Sequence, residues 1–139
     1  MREVSVSLTR RLFGGAVLAA SLLASGLFTA AWAGAAVPFS AEAFKAAQAS
    51  GSPILVEIHA DWCPTCKAQG PILEKLTADP KFKDLKTFRV DFDAMKPALR
   101  QFGAQQQSTL IVFKGAAEQG RSVGDTKQAS IAALLDKSL

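Results

Sequence analysis

The chain has 139 residues, 49% of them hydrophobic and 20% charged, with only two cysteines, a size that suits one domain. That composition argues against disorder, a collagen-like repeat and a disulfide-stapled scaffold. The formal net charge of +4 raises nucleic acid or a membrane surface as partners, but no Asp, Glu, Lys or Arg occurs from Leu12 to Ala41.

The chain opens with Arg2, Glu3, Arg10 and Arg11 and continues as LFGGAVLAASLLASGLFTAAWAGAA. A basic start, an apolar middle and a small-residue end read as an export signal over residues 1–35, with cleavage after Ala33 or Ala35. The pair Arg10-Arg11 and the glycines Gly14, Gly15 and Gly26 resemble a twin-arginine signal. An uncleaved membrane anchor is the competing reading. Residues 12–33 supply 22 uncharged positions, enough to cross a bilayer as a helix. Either way the basic flank stays inside, so residues 36–139 are expected in the periplasm or another extracytoplasmic space. Without the segment, 13 basic and 11 acidic residues remain, and a nucleic-acid partner is not expected.

Residues 36–139 read as one domain. A helix is predicted over Ala41–Ser50, closed by Gly51-Ser52-Pro53. Ile54–Ile58 is a short apolar run rich in β-branched residues, as in a strand buried on both faces. Cys63–Leu76 has helical spacing, with an interruption expected at Gly70-Pro71. A strand over Thr87–Phe92, a helix over Pro97–Phe102 and strands over Leu110–Phe113 and Gln119–Val123 follow. An amphipathic helix over Thr126–Lys137 ends the order α-β-α-β-α-β-β-α, which indicates an α/β fold around one central sheet.

Both cysteines lie in Trp62-Cys63-Pro64-Thr65-Cys66-Lys67, between a predicted strand and a predicted helix. Free N–H groups and the positive dipole end of a helix N-terminus stabilise a thiolate on the first cysteine. The short spacing lets the second attack a mixed disulfide made by the first. So small a ring gains little as a staple and exchanges easily. A zinc site would ordinarily need four Cys or His ligands, and Cys63, Cys66 and His59 are the only ones, leaving Asp61 or a second chain to complete it.

The run ILVEIHADWCPTCKAQGPILEKL, Ile54 to Leu76, resembles the active-site strand and helix of the thioredoxin family. Trp62, Lys67 and Pro71 match, and VDFD (Val90 to Asp93), Phe102-Gly103, STLIVFKG (Ser108 to Gly115) and Val123-Gly124 follow in family order. The motif also resembles the exported reductase domain of thiol–disulfide interchange proteins. The resemblance implies a mixed β-sheet with helices on both faces and a thiol–disulfide oxidoreductase without organic cofactor or metal. Cys63 is then the nucleophile and Cys66 the resolving thiol. Glu57 stands where the family carries a buried aspartate that takes and returns the Cys66 proton, with Arg89 as its expected partner. Trp62, Pro64, Thr65, Ser108 and Thr109 are expected at the substrate-docking surface. His59 is expected to pack where the family has a tryptophan, and Lys67 to be solvated.

One position departs from the family. Ser108 stands where a cis-proline normally faces the dithiol. A cis bond before a non-proline residue costs about 2.5–4 kcal/mol. Either that bond is strained, or the loop is trans with a different docking surface, or the alignment is offset there. Protein disulfides or dithiols are the expected substrates of a monomer, with a membrane or periplasmic redox partner. A non-catalytic metal-binding or chaperone module on the same fold and a membrane-tethered electron relay are the rivals. Pro64 between the cysteines occurs in both oxidants and reductants of the superfamily, so direction depends on how far the reduced form is stabilised.

Overall fold

Short strands and helices follow one another along residues 35–139, the part of the chain that the computed structural model describes. The export signal or anchor read over residues 1–35 lies outside the described residues, Ala35 excepted. Among the described residues no helix is long and apolar enough to cross a membrane. The elements are β1 (Val37–Pro38), α1 (Ala41–Ala49), β2 (Pro53–His59), α2 (Pro64–Thr77), a 3-10 turn (Pro80–Phe82), β3 (Lys86–Asp91), α3 (Lys96–Phe102), β4 (Thr109–Lys114), β5 (Ala117–Val123) and α4 (Gln128–Asp136).

The strands form one sheet in the order β1-β3-β2-β4-β5. β1, β3 and β2 run parallel, and β4 and β5 are antiparallel to their neighbours. The mixed sheet expected from the resemblance is therefore present. β2 lies at its centre, which is why Ile54 through Ile58 is buried along its whole length. Its residues alternate between faces. Ile54, Val56 and Ile58 pack with Phe44 of α1 and with Leu99 and Phe102 of α3. Leu55 packs with Leu73 of α2 and with Ile131, Leu134 and Leu135 of α4. Each such side chain contributes about 1.5–3 kcal/mol when fully buried.

The first of these layers is aromatic. Phe44 sits edge to face with Phe102 at 5.2 Å between ring centroids, with Phe113 at 5.4 Å and with Phe88 at 5.8 Å. Phe39 closes the group against Phe102 at 5.3 Å. These geometries suit the quadrupoles of the rings and add to the energy of burial.

Two elements went unread in the sequence. β1 is only two residues long and contains Pro38, tolerated because the strand lies at the sheet edge. The 3-10 turn is capped by Asp79, whose carboxylate accepts the Lys81 N–H at 2.9 Å. α2 continues as one helix through Gly70-Pro71. Proline removes a single N–H from the ladder there, and the bonds on either side carry the helix across. The β4–β5 hairpin turns at Gly115, whose φ of +55° favours a residue without a side chain.

Candidate active site

β2 ends at His59, and four residues later Cys63 caps the N-terminus of α2. The position dictates the chemistry. Cys63 is extended, its Sγ accepts the Cys66 N–H at 3.2 Å, and Pro64 begins the helix, where its lack of an N–H costs nothing. Both cysteines are free thiols and nearly covered, Cys63 with 2% and Cys66 with 1% of its surface exposed.

The two sulfurs are driven apart electrically. Burial pulls the Cys63 pKa up, but hydrogen bonds from the Cys66 thiol, the Ser108 hydroxyl and the N–H groups of Cys66 and Thr65 outweigh it, and the net shift is downward. For Cys66, burial, the hydrogen bond to Cys63 and the charge of Cys63 push the pKa up. One thiol is thus prepared to attack and the other is held protonated.

Ser108 faces both sulfurs. Among the described residues no peptide bond is cis, so the Gln107–Ser108 bond is trans. Ser108 instead takes a left-handed φ of +59°, which costs a non-glycine residue roughly 1–2 kcal/mol. Its N–H donates to the Ile58 carbonyl at 2.8 Å, and its carbonyl accepts from Gly124 N–H at 2.9 Å and from Gln69 Nε2 at 3.2 Å. Its Oγ lies 3.0 Å from Cys63 Sγ and 3.2 Å from Cys66 Sγ.

Glu57 is 1% exposed, and its carboxylate accepts from Arg89 Nε at 3.1 Å. The pairing follows from register, since Glu57 and Arg89 are direct neighbours across β2 and β3. His59 Nδ1 lies 3.3 Å from Glu57 Oε1, outside hydrogen-bonding geometry, and its Nε2 lies 3.2 Å from Asp61 Oδ1. Beside Glu57 a cavity of about 710 Å³ opens between α2 and β3, lined in part by Gly70, Leu73, Thr77, Thr87 and Arg89. Removing the guanidinium leaves a buried carboxylate without its cation. Arg89→Ala is expected to lose about 2 kcal/mol in urea unfolding, a modest value because the arginine is itself half exposed.

Of the residues expected at a docking surface, Trp62 is 57% exposed with its Nε1 donating to Asp93 Oδ2 at 2.7 Å. Pro64 is exposed and Thr65 half-buried beside the dithiol, whereas Ser108 and Thr109 are buried. Lys67 is exposed. Gln69 was overlooked. It is fully buried, and its Nε2 ties α2 to the Ser108 and Asp125 carbonyls. The signal was present: a polar residue three positions after Cys66 and four before Leu73, on the face that α2 buries. Among the described residues no group of three or more His, Cys, Asp or Glu side chains is placed to hold a metal ion.

Comparison with known proteins agrees with this geometry. The thioredoxin family model matches residues 35–137. The chain is 35% identical over 98 residues to thioredoxin from Chlamydia trachomatis, covering 70% of this chain and 93% of that protein. To thioredoxin from Chlamydia muridarum it is 37% identical over 84 residues, 60% of this chain and 80% of the relative. The crystal structure of Trxlp from Edwardsiella tarda superimposes with a TM-score of 0.69 at 48% identity, covering 70% of this chain and 95% of that one. With its dithiol at the head of α2 and a matching family model over most of its length, the chain belongs to the thioredoxin family of thiol–disulfide oxidoreductases.

Proposed function

We propose that the protein works outside the cytoplasm, exchanging disulfides with protein substrates through Cys63 and Cys66. The observation that carries the exchange is the pair of free thiols at one helix N-terminus, with Cys63 Sγ accepting the Cys66 N–H. The Cys63 thiolate attacks one sulfur of a substrate disulfide, forming a mixed disulfide and releasing the other sulfur as a thiolate that takes a proton. Cys66 then gives up its proton and attacks Cys63 Sγ. The second substrate thiol leaves, the substrate has gained two electrons, and the enzyme holds the Cys63–Cys66 disulfide. The reverse sequence oxidises a substrate. Glu57 takes and returns the Cys66 proton, its carboxylate paired with Arg89 at the edge of the neighbouring cavity. Exposed Trp62, with Pro64 and Thr65, meets the substrate chain. No nucleic acid is involved. A membrane or periplasmic redox partner restores the starting state.

Cys66→Ser tests the exchange. Mixed with a disulfide-bonded protein, this variant is expected to accumulate a covalent adduct that dithiothreitol releases. Failure to form any adduct, together with no exchange by the wild type, would sink the reading.

Export is supported by the basic start and charge-free stretch of the N-terminal segment. The same 22 uncharged residues favour a second reading, a membrane-tethered relay. N-terminal sequencing of protein from fractionated cells separates the two. A new terminus after Ala33 or Ala35 supports a soluble exported enzyme, an intact one in the membrane fraction supports the tether, and full-length cytoplasmic protein overturns both.

A further inference from the structure

The backbone at Ser108 is one that proline cannot enter. A proline ring holds φ near −65°, and Ser108 sits at +59°. Its N–H also makes the 2.8 Å bond to Ile58, which proline would lack. The loop is therefore built around a residue that has an N–H and presents a side chain to the dithiol. Bonds to Ile58, Gly124 and Gln69 over-determine the strained conformation, a pattern that marks functional positions.

That side chain is a hydroxyl with 3% of the residue exposed, so its partners are in the protein rather than in solvent. Its oxygen lies 3.0 Å from Cys63 Sγ and 3.2 Å from Cys66 Sγ. A hydroxyl has one proton to give and lone pairs to accept with. When Cys63 is ionised its sulfur takes that proton, in addition to the hydrogen bond from the Cys66 thiol.

We propose that Ser108 is a third member of the redox centre, its hydroxyl donating to the Cys63 sulfur in the dithiol form and so drawing the equilibrium toward that form. The inference rests on the disulfide-exchange reading above and deepens it. A thiolate is a strong acceptor, whereas a disulfide sulfur is neutral and a poor one, so the bond weakens when the disulfide closes. Only an interaction that differs between two states shifts their balance. Here it favours the reduced state, which makes the centre more oxidising. The balance concerned is that of the enzyme disulfide plus two glutathione thiols with the enzyme dithiol plus glutathione disulfide, a two-electron exchange that adds no other reactant.

Two variants test this. Ser108→Ala removes only the hydroxyl oxygen. Ser108→Gly removes the side chain and accepts a positive φ without strain, so it keeps the loop even if the alanine variant folds poorly. The equilibrium constant with glutathione and the pH midpoint of Cys63 alkylation by iodoacetamide are measured for each. The expected result is a shift of about tenfold away from the dithiol, equal to about 30 mV toward a more reducing potential. The alkylation midpoint is expected to rise by about one pH unit. Folded variants that still cycle with glutathione but stay within about twofold of the wild type on both measures overturn the proposal. A wild type that forms no Cys63–Cys66 disulfide with glutathione overturns the exchange reading beneath it, a separate failure.

Discussion

Cys63→Ala is expected to lose disulfide exchange by about 1,000-fold or more in a turnover assay with a disulfide-bonded protein, while remaining folded. Cys66 is still present in that variant, yet it cannot take over. Burial raises its pKa and keeps it protonated near neutral pH, whereas the Cys63 pKa is shifted downward. Losing the Cys63 sulfur also removes one acceptor for the Cys66 N–H, a capping loss of about 1 kcal/mol that the domain can absorb. Circular dichroism and the rate measured on the same sample separate the two effects. Exchange within tenfold of the wild type would contradict the assignment of Cys63 as nucleophile.

Phe44→Ala is expected to produce the largest loss of stability, about 4 kcal/mol, read as a Tm lower by roughly 20 °C. Phe44 is 3% exposed and touches the rings of Phe39, Phe88, Phe102 and Phe113, which come from five different segments with it. Truncation leaves a cavity that none of these rings can close, because each is also held by the sheet or by α3. A domain of this size is stable by about 5–15 kcal/mol in total, so the variant approaches the unfolding threshold at growth temperature. Thermal melts of the two proteins decide the matter, and a Tm within a few degrees of the wild type would refute the central role of this ring.

The two predictions differ in how visible their basis is before folding. Cys63 and Cys66 are three residues apart, and their setting between a β-branched run and a helical pattern can be recognised locally. The aromatic group cannot. Its phenylalanines are spread from Phe39 to Phe113, and only sheet register and helix packing bring them together. Glu57 and Arg89 fall between these cases. Their pairing is what the family resemblance implies, and β2 and β3 do place them opposite each other. The two-residue β1 carries no periodicity to detect, and the helix through Pro71 tolerates a residue that local rules treat as a break.

The opening composition takes on a different meaning in this light. Two cysteines proved enough because exchange chemistry needs only a pair, and the sequence alone determined that pair, its strand-to-helix setting and the family to which it points. Those are short-range features, written in residue type and spacing. The tertiary structure alone decided what faces the pair. Ser108 is 45 residues from Cys63, and whether its peptide bond is cis or trans, and where its hydroxyl lies, depends on bonds to Ile58, Gly124 and Gln69 made only in the folded chain. A single φ angle, invisible in the sequence, turns an apparent loss of proline into a hydroxyl between two sulfurs.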